Sequence, residues 1–483
     1  MSSLKSKFLY QLAVSFLYSV APITIFPYIS RVLGPENIGK INFIDYTAQF
    51  FILFATFGMP LYAVREVSKV RSQPTELNKL ISELVILHFI FSFVSLAGFI
   101  CIIPFLPTDF REKELLIIAG MNILLNAFSI EWLLQGLEDF SFFGKRSFII
   151  KIASVISIFI FVHHSTDYAL YYFLLIAANI AILVTDISYA YRKQIRFTFS
   201  PKFRRHLAPL TIFFLTSATV SIYTYFDTVI LGLISGSLAV GFYTTGLKTI
   251  RLTQNFVNDI GGVLMPRMSY LNAMNNATEM NRILNLSLQY ILTVSLPIGF
   301  FVFLMAPEII NVLAGDAFAG AVPVLRVLSL LPILIGLSNL FGTQILLAFG
   351  KEKKVLAGVL GGSIASIAAN LILCPLYQEK GAATASIIAE SVVTAILGWQ
   401  AVRLIKFRVS RFFLAGVVLS SGLFLPVVWL LKQTAFFPLI VVIIAGIACF
   451  GLYVFLQLFV FKNPIMISLK DFVSTTLLNR KMA

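Results

Sequence analysis

The chain has 483 residues, 58% of them hydrophobic and 12% charged, with 47 phenylalanines and a mean hydropathy of +0.91. Soluble domains carry about 45 to 50% apolar and about 25% charged residues, so a soluble globular protein is excluded and an all-α integral membrane protein is expected. The net charge of +15 would suggest nucleic acid in a soluble protein. Here Lys and Arg fall in short segments between apolar runs, a membrane-topology pattern, and no nucleic-acid partner is expected.

Crossing about 30 Å of hydrocarbon takes about 20 apolar residues. Such windows recur fourteen times, at 8–30, 41–63, 80–103, 115–136, 147–162, 168–190, 207–233, 242–265, 284–306, 321–349, 355–376, 382–402, 412–431 and 437–461. Lys5 and Lys7 precede the first run as they would in a signal peptide, but Pro22, Pro27 and Arg31 follow without a small-residue cleavage site. The run is therefore taken as a retained membrane helix. Alternating sides along the chain puts 28 Lys and Arg on the side of the N-terminus and 6 on the other, which predicts that both termini are cytoplasmic. Three cations remain inside spans: Lys248, Arg251 and Arg326.

The basic segment "YRKQIRFTFSPKFRRH" (191–206) is the longest polar connection between spans 6 and 7, and the sequence resembles itself on either side of it. "RVLGPENIGKINFIDYTAQFF" has a counterpart in "VILGLISGSLAVGFYTTGLKTIRL", and "LLQGLEDFSFFGKRSFIIKIASVIS" in "ILLAFGKEKKVLAGVLGGSIASIAANL". Two six-helix lobes in the same membrane orientation are expected: residues 1–190 (spans 1–6) and 207–402 (spans 7–12), joined by the 191–206 linker. Residues 403–483 carry two outlying spans and a cytoplasmic tail. Parallel repeats of this kind enclose a central cavity between the lobes.

On span 8, Thr244, Lys248, Arg251, Asn255, Asn258 and Asp259 recur at helical spacing and share one face. Aligning Gly39 with Gly241 places Asn42, Gln49 and Thr56 of span 2 opposite Thr244, Arg251 and Asn258, with Asp45 beside them. A cation facing lipid near the midplane costs at least about 2.5 to 3.5 kcal/mol, so Arg251 must face water or an anion. Two readings are open. Lys248 snorkels while Arg251 pairs with an internal acid as structural glue, or the two form a surface for anionic cargo, since cations one turn apart repel unless an anion visits. Asn255 extends that surface, and Arg326 either serves the same cavity or is interfacial. Asp45, Asp227, Asp259 and Glu390 are candidate ion-coupling sites or partners for basic residues; Glu131 and Asp186, near span ends, are taken as interfacial. His88 has a weak claim as a proton relay.

Cys101, Cys374 and Cys449 are isolated, with no CxxC and no clustered histidines, so neither a disulfide framework nor a metal site is expected. No GxxxxGK[ST], HExxH or GxSxG occurs. The chain is expected to be no enzyme and to bind no cofactor; work against a gradient would draw on H+ or Na+ coupling or on metabolic pull.

"PYISRVLGPENIGKINF" (27–43), "FGMPLYAVREVSKVR" (57–71), "EWLLQGLEDF" (131–140) and "FDTVILGLISGSLAVGFYTTGLKTI" (226–250) resemble the Wzx-type O-antigen and polysaccharide flippases of the multidrug/oligosaccharidyl-lipid/polysaccharide superfamily. The resemblance implies movement of an undecaprenyl-pyrophosphate-linked oligosaccharide from the cytoplasmic to the periplasmic face of a bacterial inner membrane, by alternating access. It implies a lipid-linked oligosaccharide and membrane lipid as partners, with a polysaccharide polymerase and a chain-length regulator as further candidates. The pyrophosphate or acidic sugars would be the anion for Lys248 and Arg251. Two rivals stand beside it: a cation-coupled multidrug exporter of the same superfamily, which would need an acid-lined cavity, and a non-transporting scaffold, which would leave the midplane cations without purpose.

Overall fold

The computed structural model describes residues 2–196, 201–274, 276–434, 436–468 and 470, and side chains outside 2–21, 23, 201, 216, 217, 219–224 and 255–263. Contacts divide the chain into two compact units, Met1–Gly241 and Phe242–Ala483. The first holds α1 (Ser2–Thr56), α2 (Met59–Val70), α3 (Pro74–Ile102), α4 (Lys113–Asn126), α5 (Glu131–Gly136), α6 (Phe140–Phe161), α7 (Tyr168–Arg192) and the start of α8 (Leu207–Ala273). The second holds the rest of α8, then α9 (Ala277–Ala314), α10 (Ala321–Leu328), α11 (Leu331–Asn339), a π-helix (Leu340–Leu347), α12 (Glu352–Ala401), α13 (Arg411–Gly422), α14 (Phe424–Lys432) and α15 (Pro438–Phe455).

No strand occurs among the described residues, and ten stretches of them are long and apolar enough to cross a membrane. Several contain an elbow: α1 breaks at Gly34 (φ 76°), α8 at Gly236 (φ 80°) and α12 at Gln378 (φ 50°). Dividing these three, joining α4 to α5, α10 to the π-helix and α13 to α14, and leaving out the twelve-residue α2 gives fourteen segments in the expected order. In hydrocarbon every backbone polar group must be satisfied internally, which is why the described residues are predominantly helical.

The elbows recur at the interval of the expected repeat. Gly34 and Gly236 are separated by the same 202 residues as Gly39 and Gly241, and both sit at positive φ with extended ψ, a conformation in which a Cβ is strained. A Cβ on Gly39 would strike the Ser237 carbonyl oxygen, and one on Gly241 would strike the Pro35 carbonyl oxygen. Pro35 and Ser237 are themselves equivalent at the same interval. The contact is therefore reciprocal, as a two-fold relation between the elbow segments requires. Glycine is needed at both positions because backbone meets backbone there.

Span 2 ends earlier than expected. The window 41–63 runs through Phe57 (φ 41°) and Gly58 (φ 74°), where α1 stops and α2 begins in a new direction. A Cβ on Gly58 would collide with the backbone of Phe213 and Phe214, while Phe57 stacks on Phe214 at 4.4 Å. α2 buries Met59, Tyr62, Ala63 and Val67 on one stripe against α3 and α5, so its apolar residues belong to a core rather than to a crossing. Tyr62 also hydrogen-bonds His206 Nδ1 at 2.5 Å, and Glu83 of α3 meets His206 Nε2 and Arg205 Nη2, each at 2.8 Å. These bonds tie residues 201–206 to the first unit. Elsewhere in that unit α1 packs on α3, α4 and α6.

In the second unit α9 is the hub, packing on α10, α11, α13 and α15, with α12 against α10, α11 and the π-helix. Pro297 interrupts the α9 ladder, because it has no N–H to give the Thr293 carbonyl. Tyr453 of α15 donates its hydroxyl to that carbonyl instead, at 2.8 Å, fully buried. A helix break thus becomes an interhelical clamp.

Candidate functional site

From the elbow at Gly236, α8 runs on through the polar stripe. Tyr243, Leu247 and Ile250 are buried on one face, Tyr243 bonding Ser386 of α12 at 2.9 Å, and Gly246 abuts Val324 of α10. Thr244, Lys248 and Arg251 each follow one residue later, about 100° around the helix. Packing of the first face therefore fixes the direction of the second. Arg251 lies about 22 Å along the helix from the elbow, further than the 242 start of the expected span suggests. Lys248 and Arg251 are half-buried. Lys248 engages a partner, whereas Arg251 forms no ion pair among the described residues. Thr249 and Thr253 return their hydroxyls to their own helix at 2.8 and 2.7 Å. Asn255, Asn258 and Asp259 lie on the described backbone of α8, but their side chains are outside the described residues.

The acids are dispersed. Asp45 of α1 accepts from the Tyr172 hydroxyl at 3.3 Å, and Asp227 is buried in the first unit and partnered. Glu390 of α12 is buried in the second unit and accepts from Ser338 of α11 at 2.5 Å. Arg326 is exposed on α10, its guanidinium 5.9 Å from the Phe303 ring. Thr56 returns its hydroxyl to Ile52 at 3.0 Å, so it ends its helix instead of extending the stripe. His88 is buried in α3.

Two features escaped the sequence. Asp186 is buried in protein: its side chain is 2% exposed and binds Arg146, also 2% exposed, at 2.5 Å, while Glu131 takes the other guanidinium nitrogen at 3.1 Å. Arg146 counts as a connection residue by charge, yet α6 starts at Phe140, capped by Asp139, and carries it inside. The three residues come from α5, α6 and α7, and no local spacing links them. The second feature is an apolar cavity of about 340 Å³ between α9, α14 and α15, lined by Thr293, Pro297, Phe301, Phe424, Cys449 and Phe450 among others. Among the described residues, no cluster of His, Cys, Asp and Glu could hold a metal ion.

These elements form a multi-span helical transporter fold. The chain matches the solved structure "Lipid II flippase MurJ, inward closed conformation" with a TM-score of 0.75 at 18% identity, over 93% of this chain and 98% of that one. It matches an inward-facing multidrug resistance MATE family transporter of the MOP superfamily with a TM-score of 0.63 at 14% identity, over 82% and 94%. Residues 4–272 match the family described as "Polysaccharide biosynthesis protein", more than half of the chain, and the protein belongs to that family. Curated relatives include proteins of Escherichia coli (strain K12) and Shigella dysenteriae, each named "Putative O-antigen transporter". They are 25% identical over 82% of this chain and 96% of the relative, and 26% identical over 75% and 90%.

Proposed function

We propose that the protein is a flippase that carries an undecaprenyl-pyrophosphate-linked oligosaccharide, an O-antigen or related surface-polysaccharide unit, across the bacterial inner membrane from the cytoplasmic to the periplasmic face. The observation that carries the reading is Arg251: a half-buried cation, one turn from Lys248 in a membrane-length helix, with no ion pair among the described residues. A cargo pyrophosphate supplies the anion. Arg offers it a bidentate fork and Lys a point charge. The apolar cavity between α9, α14 and α15 suits a polyprenyl tail, since its lining is almost wholly hydrocarbon.

In this reading the lobes 1–190 and 207–402 alternate between inward-open and outward-open states, with both termini cytoplasmic by the Lys and Arg bias. H+ or Na+ coupling would fall to the acids Asp45, Asp227, Asp259 and Glu390, and Arg326 and Asn255 would extend the cationic surface. A polysaccharide polymerase and a chain-length regulator would receive the product. The names of the curated relatives and the family support a glycan cargo over a cationic drug. The test is complementation of a bacterium lacking its flippase for the matching polysaccharide, scored by surface glycan at equal membrane abundance. Wild type should restore the glycan, Arg251→Ala should not, and Arg251→Lys should be intermediate. Full restoration by Arg251→Ala would remove the cationic surface from the account.

A further inference from the structure

A second cavity, of about 550 Å³, opens in the first unit where the α2–α3 turn, the α5–α6 turn and the end of α7 converge. Its volume falls in the range of small-molecule sites, roughly 300 to 1,000 Å³, and its lining mixes polar side chains with Pro74, Leu77, Leu137 and Ile195, where the α9 cavity is apolar. Arg71 and Glu138 form an ion pair at 2.6 Å on its wall. Asp139 is already engaged, accepting from the Tyr189 hydroxyl at 3.0 Å and from the Phe142 N–H at 3.2 Å. Asn78 spends its oxygen on the Arg196 N–H at 3.2 Å, while its amide nitrogen and the whole Gln194 amide make no hydrogen bond among the described residues. Lys193 lies over the Tyr189 ring.

Two of these residues are held at backbone positions that favour glycine. Glu138 (φ 58°) and Gln194 (φ 56°) each occupy the left-handed position just past a helix end. At the first, the Glu138 N–H bonds the Gln135 carbonyl and the Asp139 N–H the Leu134 carbonyl; at the second, the Gln194 N–H bonds Tyr191 and the Ile195 N–H bonds Ala190. That bonding pattern ends helices most favourably with glycine. The chain contains its own control. Exactly this turn recurs 212 residues after Glu138, with the Gly350 N–H on Leu347 and the Lys351 N–H on Leu346, and there the residue is Gly350 (φ 65°). The interval is the one that relates Ile152-Ala153-Ser154 to Ile364-Ala365-Ser366. Two side chains retained against local backbone preference, both lining one cavity, mark it as a site.

We propose that this cavity binds the hydroxyl groups of a short saccharide, with the Gln194 and Asn78 amides, Lys193 and the Arg71–Glu138 pair as its hydrogen-bonding wall. A sugar hydroxyl is donor and acceptor at once and matches a wall that offers both. The two cations are balanced by two carboxylates, which selects against a bare phosphate and for a neutral polyhydroxylated ligand. The assignment deepens the flippase reading and rests on it: the basic side of the chain, where this cavity opens, is where a cargo glycan would wait before transport.

The test uses the full chain in phospholipid nanodiscs against an array of bacterial surface oligosaccharides, with Gln194→Gly and Glu138→Gly beside wild type. Wild type should retain a subset of glycans. Each variant should bind them at least tenfold more weakly, while Gln194→Gly raises Tm by about 1 °C because the strained position is relieved. One retained oligosaccharide is then compared free and still attached to polyprenyl pyrophosphate. An equal loss in both forms supports recognition of the sugar itself, and a loss in neither overturns the proposal. No glycan retained by wild type, or both variants binding as wild type, also overturns it. Glycan binding through this cavity in a chain that restores no surface polysaccharide keeps the site and removes the flippase reading. Restored polysaccharide with wild-type binding by both variants does the reverse.

Discussion

Replacing Asp186 by alanine removes one carboxylate and strands a guanidinium. Arg146 and Asp186 are each 2% exposed and meet at 2.5 Å, so neither is hydrated, and breaking such a pair from one side costs about 3 to 5 kcal/mol. Glu131 cannot take over, because it holds the other nitrogen at 3.1 Å from a position 40% exposed, where water already screens the charge. Glu131→Ala should therefore cost about 1 kcal/mol or less. Replacing both buried partners, Arg146→Met with Asp186→Leu, removes the stranded charge and should return stability to within about 1 kcal/mol of wild type. Detergent-to-SDS unfolding, read by the fluorescence of the neighbouring Trp132, buried at 3% exposure, measures all four proteins. Equal losses for Asp186→Ala and Glu131→Ala, or a double variant as unstable as Asp186→Ala, would refute the assignment of this pair as a buried charge couple.

Gly39→Ala and Gly241→Ala each drive a Cβ into a carbonyl at equivalent positions of the elbow contact, so both should lower thermal stability by similar amounts; a large effect from one and none from the other would break the two-fold relation. Tyr453→Phe leaves the Thr293 carbonyl, already deprived of a partner by Pro297, without a donor, and should cost about 1 to 3 kcal/mol in the same unfolding assay. Gly446→Phe places a ring in the apolar cavity, where a Cβ would have only Phe301 at 3.9 Å as a neighbour. It should leave Tm within a few degrees of wild type and reduce surface glycan several-fold; undiminished glycan would show that the tail travels elsewhere.

What could be read in advance followed period and composition. Fourteen apolar windows correspond to the fourteen segments because hydrocarbon thickness sets a length that sequence displays directly. The alignment of Gly39 with Gly241 was legible from the likeness of the two stretches, whereas the elbows at Gly34 and Gly236, at the same interval, come from the structure. The end of span 2 was not legible, because α2 is apolar for a different reason: Met59, Tyr62 and Val67 fill a core, and a hydropathy window does not separate burial in protein from burial in lipid. Gln378 gives no sign of its left-handed backbone, since glutamine is an ordinary helix residue and the turn is imposed by the helices on either side. Composition also misjudged Arg146, whose partners come from helices distant in the chain. Of the candidate site, the sequence supplied the stripe of Thr244, Lys248 and Arg251, whereas the cavities depend on facing surfaces from several helices and leave no periodic trace in any one of them.

The central claim is that Arg251 handles an anion carried across the membrane. Proteoliposomes containing wild type, Arg251→Lys or Arg251→Ala can be loaded with an undecaprenyl-pyrophosphate-linked oligosaccharide, and the fraction reaching the opposite leaflet followed by a membrane-impermeant lectin. Wild type is predicted to move it, Arg251→Lys to move it more slowly, and Arg251→Ala to fall at least tenfold, with no such loss for a neutral polyprenyl-linked sugar that lacks the pyrophosphate. Transport by Arg251→Ala at the wild-type rate, or equal losses with and without the pyrophosphate, would contradict the account.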